Sequence, residues 1–429
     1  MPAELSAYPS RIIRAAQRRA ALGSFGDLGP GAMAIEEWQG LGLELPDVDR
    51  MRRQRLERLR EQLVREEVGG ILLYDPLNVR YATDSTNMQV WCTHNPVRYA
   101  FIASDGPVIL FDFHGSDHLS DHLPLVDEVR PAESWYFFSA GANVADRARR
   151  WADEVAELVN QYGGGNRRLA VDTADFLGMD RLRDRGIEIV EGRAPVEQAR
   201  LIKTLDEIRA MRCALAAAES GMAAMQAALE PGMTEQALWA ILHKENIERG
   251  GEWIETRLLS SGPRTNPWFQ ECSSRAIERG DIVAFDTDLI GPYGYCADIS
   301  RTWVAGAGPT DNQKDLLDIA RAQLAHNIDV MRPGLTFMEF ADVSFDLPQQ
   351  YRGNRYSCIL HGVGLCDEYP HVPYHEDRDA LSYDDVIEPG MTLCLESYVG
   401  ADGGEEGVKL EEQVLVTETG CEVMSRFPL

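Results

Sequence analysis

Helical and extended patterns alternate along the first half of the chain. After Asp47, apolar residues recur at intervals of three and four, which predicts a helix that ends at Gly69-Gly70. Three short apolar runs have the length of buried strands, and a helical pattern precedes the last of them. The runs cover residues 71–74, 108–111 and 169–172, and the helix covers 144–160. This alternation predicts an α/β domain over residues 46–195.

The pattern changes near residue 196. Residues 196–229 are rich in Ala, Met, Leu and Glu, which predicts two helices, and Thr234 begins another that Gly250 ends. Short extended runs then dominate, with two helical stretches among them. The predicted strands are 257–261, 281–290, 294–304, 392–398 and 407–417, and the predicted helices are 311–331 and 335–344. Residues 196–429 therefore form a second domain of mixed type, and residues 1–45, basic and then Gly-rich, form an N-terminal arm.

Composition and charge narrow the possible partners. The chain has 429 residues, of which 69 are acidic and 42 basic, and its net charge of −27 disfavours nucleic acid and anionic lipid. It contains no run of 18 apolar residues, so we expect no membrane span. The N-terminus lacks the apolar core of a secretory signal, although its arginines leave an organelle presequence as an alternative. Eight scattered cysteines without a CxxC motif predict free thiols and a cytoplasmic location.

Acidic residues and one histidine lie inside or beside apolar runs of the second domain. Asp286 and Asp288 are two positions apart in a predicted strand, so both should project from the same face. Gly291 and Gly294 favour a hairpin that would bring Asp298 beside Asp286. The remaining candidates are His361 in an HGVG motif, Glu396 and Glu411.

Such a cluster predicts a metal site. Carboxylates that lie together raise one another's pKa, and a bound cation removes that penalty. Oxygen ligands with one imidazole suit two hard or borderline cations. Each acid alone could be a solvated surface residue, but their order and their apolar surroundings favour a shared metal centre.

The ligand order resembles that of the pita-bread metallohydrolases, which include methionine aminopeptidase, prolidase, aminopeptidase P and creatinase. Residues 231–235 (PGMTE) and 261–264 (SGPR) match signatures of that superfamily, and residues 78–81 (NVRY) resemble its creatinase-type N-terminal domain. The resemblance implies an α+β pita-bread C-terminal catalytic domain with an α/β creatinase-type N-terminal domain. It also implies two metal ions, with ligands Asp286, Asp298, His361, Glu396 and Glu411.

The sequence departs from the peptidases of this superfamily at three places. They usually carry a histidine after the Ser-Gly-Pro stretch, where this chain reads Asn266 to Gln270 without one. They carry another beyond the HGxG motif, where this chain has Asp367. Asp288 stands where the peptidases commonly have glycine. In these respects the chain is similar to the DddP-type dimethylsulfoniopropionate lyases.

This closer resemblance implies a lyase reaction. It adds Asp288 to the metal ligands and implies iron, although the ligand set also suits manganese, cobalt or zinc. The substrate would be a small zwitterionic sulfonium compound whose carboxylate binds metal. Asp367 is the candidate base that removes the α-proton, and dimethyl sulfide leaves to give acrylate. Because this leaving group departs neutral, no acid is required. The alternative for Asp367 is a solvated loop acid. A homodimer is also implied.

Aromatic residues are the candidates for holding the sulfonium group, because a cation is attracted to ring faces. Core packing is the alternative for each of them, and Trp91 would come from a partner subunit if it reaches the site. The candidates are Trp91, Trp268, Phe269 and Tyr356.

Other interpretations remain open. The chain could be a metallopeptidase of the Xaa-Pro type, a creatinase-like C–N hydrolase or a catalytically inactive binding module. His114, His118 and His122 are spaced by four residues, so on a helix they would share one face. That face could bind a metal, or it could be a polar surface or interface.

Overall fold

A computed structural model of the chain describes residues 29–378 and 383–429. Most of the predicted N-terminal arm, residues 1–28, lies outside this description. The described residues divide into two compact units, one made of residues 48–200 and the other of 29–47 and the chain from 201 onward. The first helix, α1 (Ala32–Gly40), belongs to the second unit.

The first unit is built on a six-stranded mixed sheet with the strand order β4-β3-β2-β1-β5-β6. Strands β1–β2 and β2–β3 pair antiparallel, whereas β3–β4, β1–β5 and β5–β6 pair parallel. The strands are β1 (Gly70–Leu73), β2 (Tyr99–Ala103), β3 (Val108–Asp112), β4 (Glu128–Pro131), β5 (Arg168–Val171) and β6 (Glu188–Glu191). The helices are α2 (Val48–Arg65), α3 (Pro76–Thr83), α4 (Gln89–Cys92), α5 (Phe137–Ala140), α6 (Val144–Tyr162), α7 (Phe176–Arg183) and α8 (Arg193–Leu201).

The core of the first unit explains why its elements form where the sequence predicts them. The apolar stripe of α6, which includes Trp151, packs with sheet residues such as Leu72 and Phe101. These three side chains have no exposed surface. The predicted α/β layer and its three predicted strands are confirmed, while strands β2, β4 and β6 and helices α3, α4, α5 and α7 are additional.

Helices of the second unit begin at defined N-caps. Thr204, Thr310 and Thr336 each cap a helix through a reciprocal capping box, which satisfies amide groups that the first turn leaves unpaired. The helices that follow α8 are α9 (Leu205–Ala228), α10 (Glu235–Glu248), α11 (Asp311–Val330) and α12 (Phe337–Val343).

Three sheets complete the second unit, with the orders β14-β13-β15-β16-β17, β12-β9-β8 and β11-β10-β7. Hydrogen bonds between Thr302 of β12 and the backbone of Lys409 of β16 connect two of these sheets. The smaller sheets contain β7 (Trp253–Ile254), β8 (Leu259–Ser261), β9 (Ile282–Asp286), β10 (Leu289–Ile290), β11 (Cys296–Ala297) and β12 (Ser300–Val304). The larger sheet contains β13 (Leu360–Val363), β14 (Asp367–Val372), β15 (Thr392–Gly400), β16 (Gly407–Val416) and β17 (Cys421–Val423).

One face of the larger sheet is covered by α11. Ser397 of β15 donates a hydrogen bond to Gln323 of this helix at 2.9 Å, and Leu316 and Leu324 pack into the same core. The mixed α/β content predicted for this half is confirmed, but β7, β13, β14 and β17 were not predicted. Among the described residues, no helix is both long and apolar enough to cross a lipid bilayer.

Candidate metal centre

Strand ends and a hairpin bring the three aspartates together. Asp286 is the last residue of β9, and β10 and β11 pair with Leu289 opposite Ala297, as the predicted hairpin requires. Asp298 follows that hairpin directly. One carboxylate oxygen from each of Asp286, Asp288 and Asp298 lies within 4.8 Å of the other two. The predicted proximity of Asp286 and Asp298 is therefore confirmed.

The larger sheet supplies the other predicted ligands. Glu396 of β15 and Glu411 of β16 occupy directly opposed positions in an antiparallel pair. His361 of β13 lies opposite Cys394 of β15. The His361 Nε2 atom is 3.3 Å from Glu396 Oε1, 3.6 Å from Asp298 Oδ2 and 3.8 Å from Glu411 Oε1.

The six predicted ligands form a buried centre. None of them is more than 8% exposed. Carboxylate atoms of Asp286, Glu396 and Glu411 form a second group within 4.8 Å, and Asp298, His361, Cys394 and Glu411 form a third. Two ligands on one cation lie at most about 4.4 Å apart, since metal–oxygen and metal–nitrogen bonds are about 2.0–2.2 Å long. The distances of 3.3–3.8 Å from His361 Nε2 to three of the carboxylates fall within that limit.

A buried lysine neutralises part of the charge of this centre. The Lys409 Nζ atom is 3.0 Å from Asp286 Oδ2, 2.7 Å from Glu396 Oε2 and 3.0 Å from Glu411 Oε2. It also donates a hydrogen bond of 2.7 Å to Ser300 Oγ. Lys409 has no exposed surface, and although burial lowers its pKa, the three carboxylates outweigh that effect and raise it well above its usual value.

The same charges separate the pKa values of the acids. Burial raises the pKa of Asp286, but Lys409 and hydrogen bonds lower it to about 2. Burial raises the pKa of Asp288 and of Glu411, and the carboxylate of Asp286 raises both further. Burial and the carboxylate of Glu411 likewise raise the pKa of Asp298. The centre thus holds more carboxylates than the protein's own positive charge can neutralise.

The donor set fits a bound cation. Glu411 is fully buried, and no described residue donates a hydrogen bond to its Oε1 atom. Glu396 and Glu411 face each other across the strand pair, where like charges are destabilising, and Lys409 contacts only the Oε2 atom of each, so a cation at the Oε1 atoms would relieve the remaining repulsion. Oxygen atoms from five carboxylates with one imidazole nitrogen match hard or borderline metal ions.

Asp288 reaches the centre by a backbone conformation that the sequence analysis did not anticipate. We predicted that Asp286 and Asp288 share one face of a strand, but β9 ends at Asp286, and Asp288 has a φ of 36°. This left-handed conformation is one that glycine adopts most readily. The Asp288 side chain accepts a hydrogen bond from Thr256 Oγ1 at 2.5 Å, and its amide lies 3.4 Å from Asp298 Oδ1.

Asp367 lies at the open side of the centre. It is the first residue of β14, its side chain is 57% exposed, and its Oδ1 atom is 3.7 Å from His361 Nδ1. Partial burial raises its pKa; His361 opposes this shift, and the carboxylate of Asp286 adds to it. These positions put a solvent-accessible carboxylate beside His361, a predicted metal ligand.

The segment before Asp367 is held by a buried ion pair. Glu368 Oε2 is 2.9 Å from Lys203 Nζ, and its Oε1 atom accepts a hydrogen bond from the Leu365 amide at 2.8 Å. A Cβ atom at Gly364 would collide with the Glu368 carboxylate. The second glycine of the HGVG motif therefore allows this close approach.

The four aromatic candidates have different surroundings. Tyr356 is partly buried, with its ring centroid 4.7 Å from Lys409 Nζ and 5.2 Å from the ring of Phe269, which is 55% exposed. Trp268 is buried and packs against Tyr398 in the core. Trp91 belongs to the first unit, where its ring contacts that of Phe113. Their roles as substrate contacts remain predictions.

The three spaced histidines of the first unit do not lie along one helix. A 3₁₀ helix covers Asp117–Ser120 only, and His118 Nδ1 is 3.2 Å from the carbonyl oxygen of Gly115. Among the described residues, the groups with metal-ligand geometry include neither His114 nor His122. The structure therefore does not place these histidines on one helical face, and a polar surface or interface remains the prediction for them.

Three residues of the centre were missed in the sequence. Lys409 lies two positions before Glu411 on β16, and Cys394 lies two positions before Glu396 on β15, so each shares the face of the ligand that follows it. Strand alternation could have revealed both. Ser300 could not be found in this way, because its role depends on the pairing of Ser300 with Asp286 across two strands.

Comparison with known proteins places the chain in a family. Residues 209–418 match metallopeptidase family M24, and residues 55–202 match the creatinase/prolidase N-terminal domain. A dimethylsulfoniopropionate lyase DddP from Roseovarius nubinhibens is 47% identical, over 94% of this chain and 92% of that protein. The chain belongs to the DddP family of dimethylsulfoniopropionate lyases. A second DddP, from Roseobacter denitrificans, is 44% identical to this DddP-family chain, over 94% of the chain and 91% of the relative.

Solved structures agree on the fold of this DddP-family protein. The match to an Xaa-Pro dipeptidase from Bacillus anthracis covers 87% of this chain and 97% of that protein, with 25% identity and a TM-score of 0.71. An X-Pro aminopeptidase from Thermotoga maritima covers the same shares, with 20% identity and a TM-score of 0.71. The predicted pita-bread catalytic domain with a creatinase-type N-terminal domain is confirmed.

Proposed function

We propose that this protein is a metal-dependent carbon–sulfur lyase that cleaves dimethylsulfoniopropionate to dimethyl sulfide and acrylate. The observation that carries the proposal is the match to the DddP of Roseovarius nubinhibens, which extends over 92% of that protein. The chemistry of the site agrees with it. An exposed carboxylate, Asp367, lies beside a buried carboxylate centre, in the stretch after the HGVG motif where the resemblance to the peptidases implies a histidine.

We propose two metal ions in this centre, and iron as the metal. Manganese, cobalt and zinc are the alternatives that the donor set also suits. Bound metal would hold the substrate carboxylate and, as a Lewis acid, acidify the carbon next to it. The residues that would hold the metal ions are Asp286, Asp288, Asp298, His361, Glu396 and Glu411.

Asp367 is the proposed base. Its carboxylate takes the α-proton, the electrons of the Cα–H bond form the new double bond, and the Cβ–S electron pair leaves with sulfur. Dimethyl sulfide is then neutral, and acrylate keeps the substrate carboxylate. Because the Asp367 side chain is 57% exposed, it can return the proton to water without a second acid.

Tyr356 and Phe269 are the proposed sulfonium contacts within the second unit. Their rings lie 5.2 Å apart beside the carboxylate centre. Aromatic faces attract an onium group with about 0.5–2 kcal/mol each. Trp268 lies in the core. Trp91 of the first unit would act from a partner subunit, and we therefore propose a homodimer. We also propose a cytoplasmic location, because the cysteines are free thiols. Light scattering on the purified protein measures its mass directly.

A metallopeptidase is the second candidate, because the solved structures with this fold include dipeptidases and aminopeptidases. The stretch where the peptidases usually carry a histidine argues against it, because here it runs from Asn266 to Gln270 without one. Asn266 donates hydrogen bonds to the carbonyl oxygens of Ala401 and Gly404 at 2.8 and 2.9 Å, which is a structural role. Its carboxamide cannot carry a proton as imidazole does.

The deciding experiment compares both activities in one preparation. The protein, loaded anaerobically with Fe²⁺, is given dimethylsulfoniopropionate, and dimethyl sulfide is measured in the headspace; a parallel sample receives an Xaa-Pro dipeptide. We expect dimethyl sulfide and no dipeptide hydrolysis, and no product from the Asp298→Ala variant, whose metal content is measured alongside. Hydrolysis of the dipeptide without dimethyl sulfide would establish the peptidase instead.

A further inference from the structure

The lysine in the carboxylate centre has no role in the reaction described above. Lys409 contacts one oxygen of each of Asp286, Glu396 and Glu411 at 2.7–3.0 Å. The other oxygens of these carboxylates point elsewhere: Asp286 Oδ1 lies 2.7 Å from Ser300 Oγ, and Glu396 Oε1 lies 3.3 Å from His361 Nε2. Each carboxylate can therefore keep its contact with the ammonium while its second oxygen binds a metal.

The position of Lys409 is fixed by its surroundings. It has no exposed surface, it donates to Ser300 Oγ at 2.7 Å, and the face of the Tyr356 ring lies 4.7 Å from its Nζ atom. Within the described part of the chain, the ligand carboxylates form their ion pairs with a lysine or arginine only through Lys409. It is thus the permanent positive charge of the centre.

The charges of the centre balance with this lysine included. Five ligand carboxylates carry five negative charges, and the sixth ligand, His361, binds a metal as neutral imidazole. Two divalent ions supply four positive charges, so one negative charge would be left over. We propose that Lys409 supplies the fifth positive charge, so that the centre binds two divalent ions in preference to trivalent ions.

This proposal makes Lys409 a positioning residue with an electrostatic effect. Its ammonium repels a metal ion that gains charge, so its loss should favour the trivalent state of iron. At a separation of roughly 5 Å and an effective dielectric constant of about 20, the ratio of trivalent to divalent affinity should rise about a hundredfold. For one electron this corresponds to a decrease of about 120 mV in the reduction potential.

The test measures the iron reduction potential of the full-length protein loaded with Fe²⁺. Lys409→Met removes the charge and retains most of the volume, Lys409→Gln is a second neutral variant that can still donate hydrogen bonds, and Lys409→Arg is the matched control that keeps the charge. We expect a lower potential in both neutral variants and a potential near that of the unaltered protein in Lys409→Arg.

Each outcome bears on the proposal. An unchanged potential in a neutral variant that binds two irons would overturn it, and so would an equal decrease in Lys409→Arg, which would indicate a purely geometric effect. If neither neutral variant binds iron but Lys409→Arg does, Lys409 is required to assemble the site, and the proposed effect of its charge on the metal oxidation state is overturned. The inference depends on the proposed metal centre but not on the lyase reaction, which dimethyl sulfide release tests separately.

Discussion

At the scale of single residues, Asp288 combines a strained backbone with a carboxylate that we propose as a metal ligand. Its φ of 36° lies in the left-handed region, which costs a residue other than glycine roughly 1–2 kcal/mol. The peptidases commonly have glycine here, so the backbone conformation can be the same while this chain adds a carboxylate. Strain of this kind is retained where the site needs the side chain.

Replacement of Asp288 should separate these two effects. In Asp288→Gly we expect dimethyl sulfide production to fall at least tenfold, because a ligand is lost, while the metal-free protein gains about 1 kcal/mol as the strain disappears. Asp288→Asn is the control that loses the charge but keeps the strained backbone. Activity and thermal unfolding of the metal-free variants measure both quantities. Equal unfolding temperatures for the two variants would contradict the strain argument.

Asp367 should be needed for turnover and not for metal binding. Loss of a general base lowers the rate by about 10²–10⁴-fold, so Asp367→Asn should lose at least a hundredfold in kcat. Because its side chain is more than half exposed, metal content and unfolding temperature should stay as they are. Asp315→Asn, an exposed acid on α11, is the control. Loss of metal together with activity would make Asp367 a ligand.

The residue types of the ligands could be predicted from the sequence, but not all of their geometry. Asp298, His361 and Glu411 stand in recognisable motifs, and the structure brings them together. The conformation of Asp288 and the contacts of Lys409 depend on residues distant in the chain. No local pattern encodes them, because strand pairing decides which side chains meet.

At the scale of elements, the antiparallel pair of β15 and β16 carries the largest concentration of charge. Glu396 faces Glu411 directly, and Lys409 lies two positions before Glu411 on the same face of β16. These two strands were predicted from their apolar runs. Strand β13 was not, because His361 and Gly362 interrupt its apolar pattern and its identity depends on pairing with β15.

The opposed glutamates predict that metal stabilises the second unit. Removal of metal with a chelator should lower the unfolding temperature. Mn²⁺ at a hundred times its dissociation constant should add about 2.7 kcal/mol to the free energy of unfolding of the metal-free protein. In Glu411→Gln the same concentration of Mn²⁺ should raise the free energy of unfolding much less. Glu422→Gln, an exposed acid on β17, is the control and should respond fully. Equal metal effects in both variants would place Glu411 outside the centre. Calorimetry measures each value.

At the scale of the whole molecule, the order of the chain differs from the order of its compact units. Helix α1 precedes the first unit in sequence but belongs to the second. Trp38 of α1 is fully buried with Cys213 and Ala216 of α9, and Glu37 forms a 3.0 Å ion pair with Arg249. The sequence analysis placed these residues in an arm, and the limits of that arm and of the two domains remain predictions.

Trp38→Ala should therefore destabilise the second unit, although residues 48–200 separate it from that unit in sequence. Loss of a buried tryptophan costs about 3–5 kcal/mol. Hydrogen exchange should increase in residues 201–429 and remain unchanged in 48–200. Met33→Ala, a half-exposed position on the same helix, is the control. Increased exchange confined to residues 48–200 would contradict the assignment of α1.

The placement of α1 also has a consequence during protein synthesis. Trp38 emerges from the ribosome before any part of the first unit, but its partner Cys213 is translated about 175 residues later. In the nascent chain, the Trp38 side chain therefore cannot be buried against α9 while residues 48–200 fold. A gene fragment that encodes only the C-terminal half would give a catalytic unit with an open apolar cleft along α9.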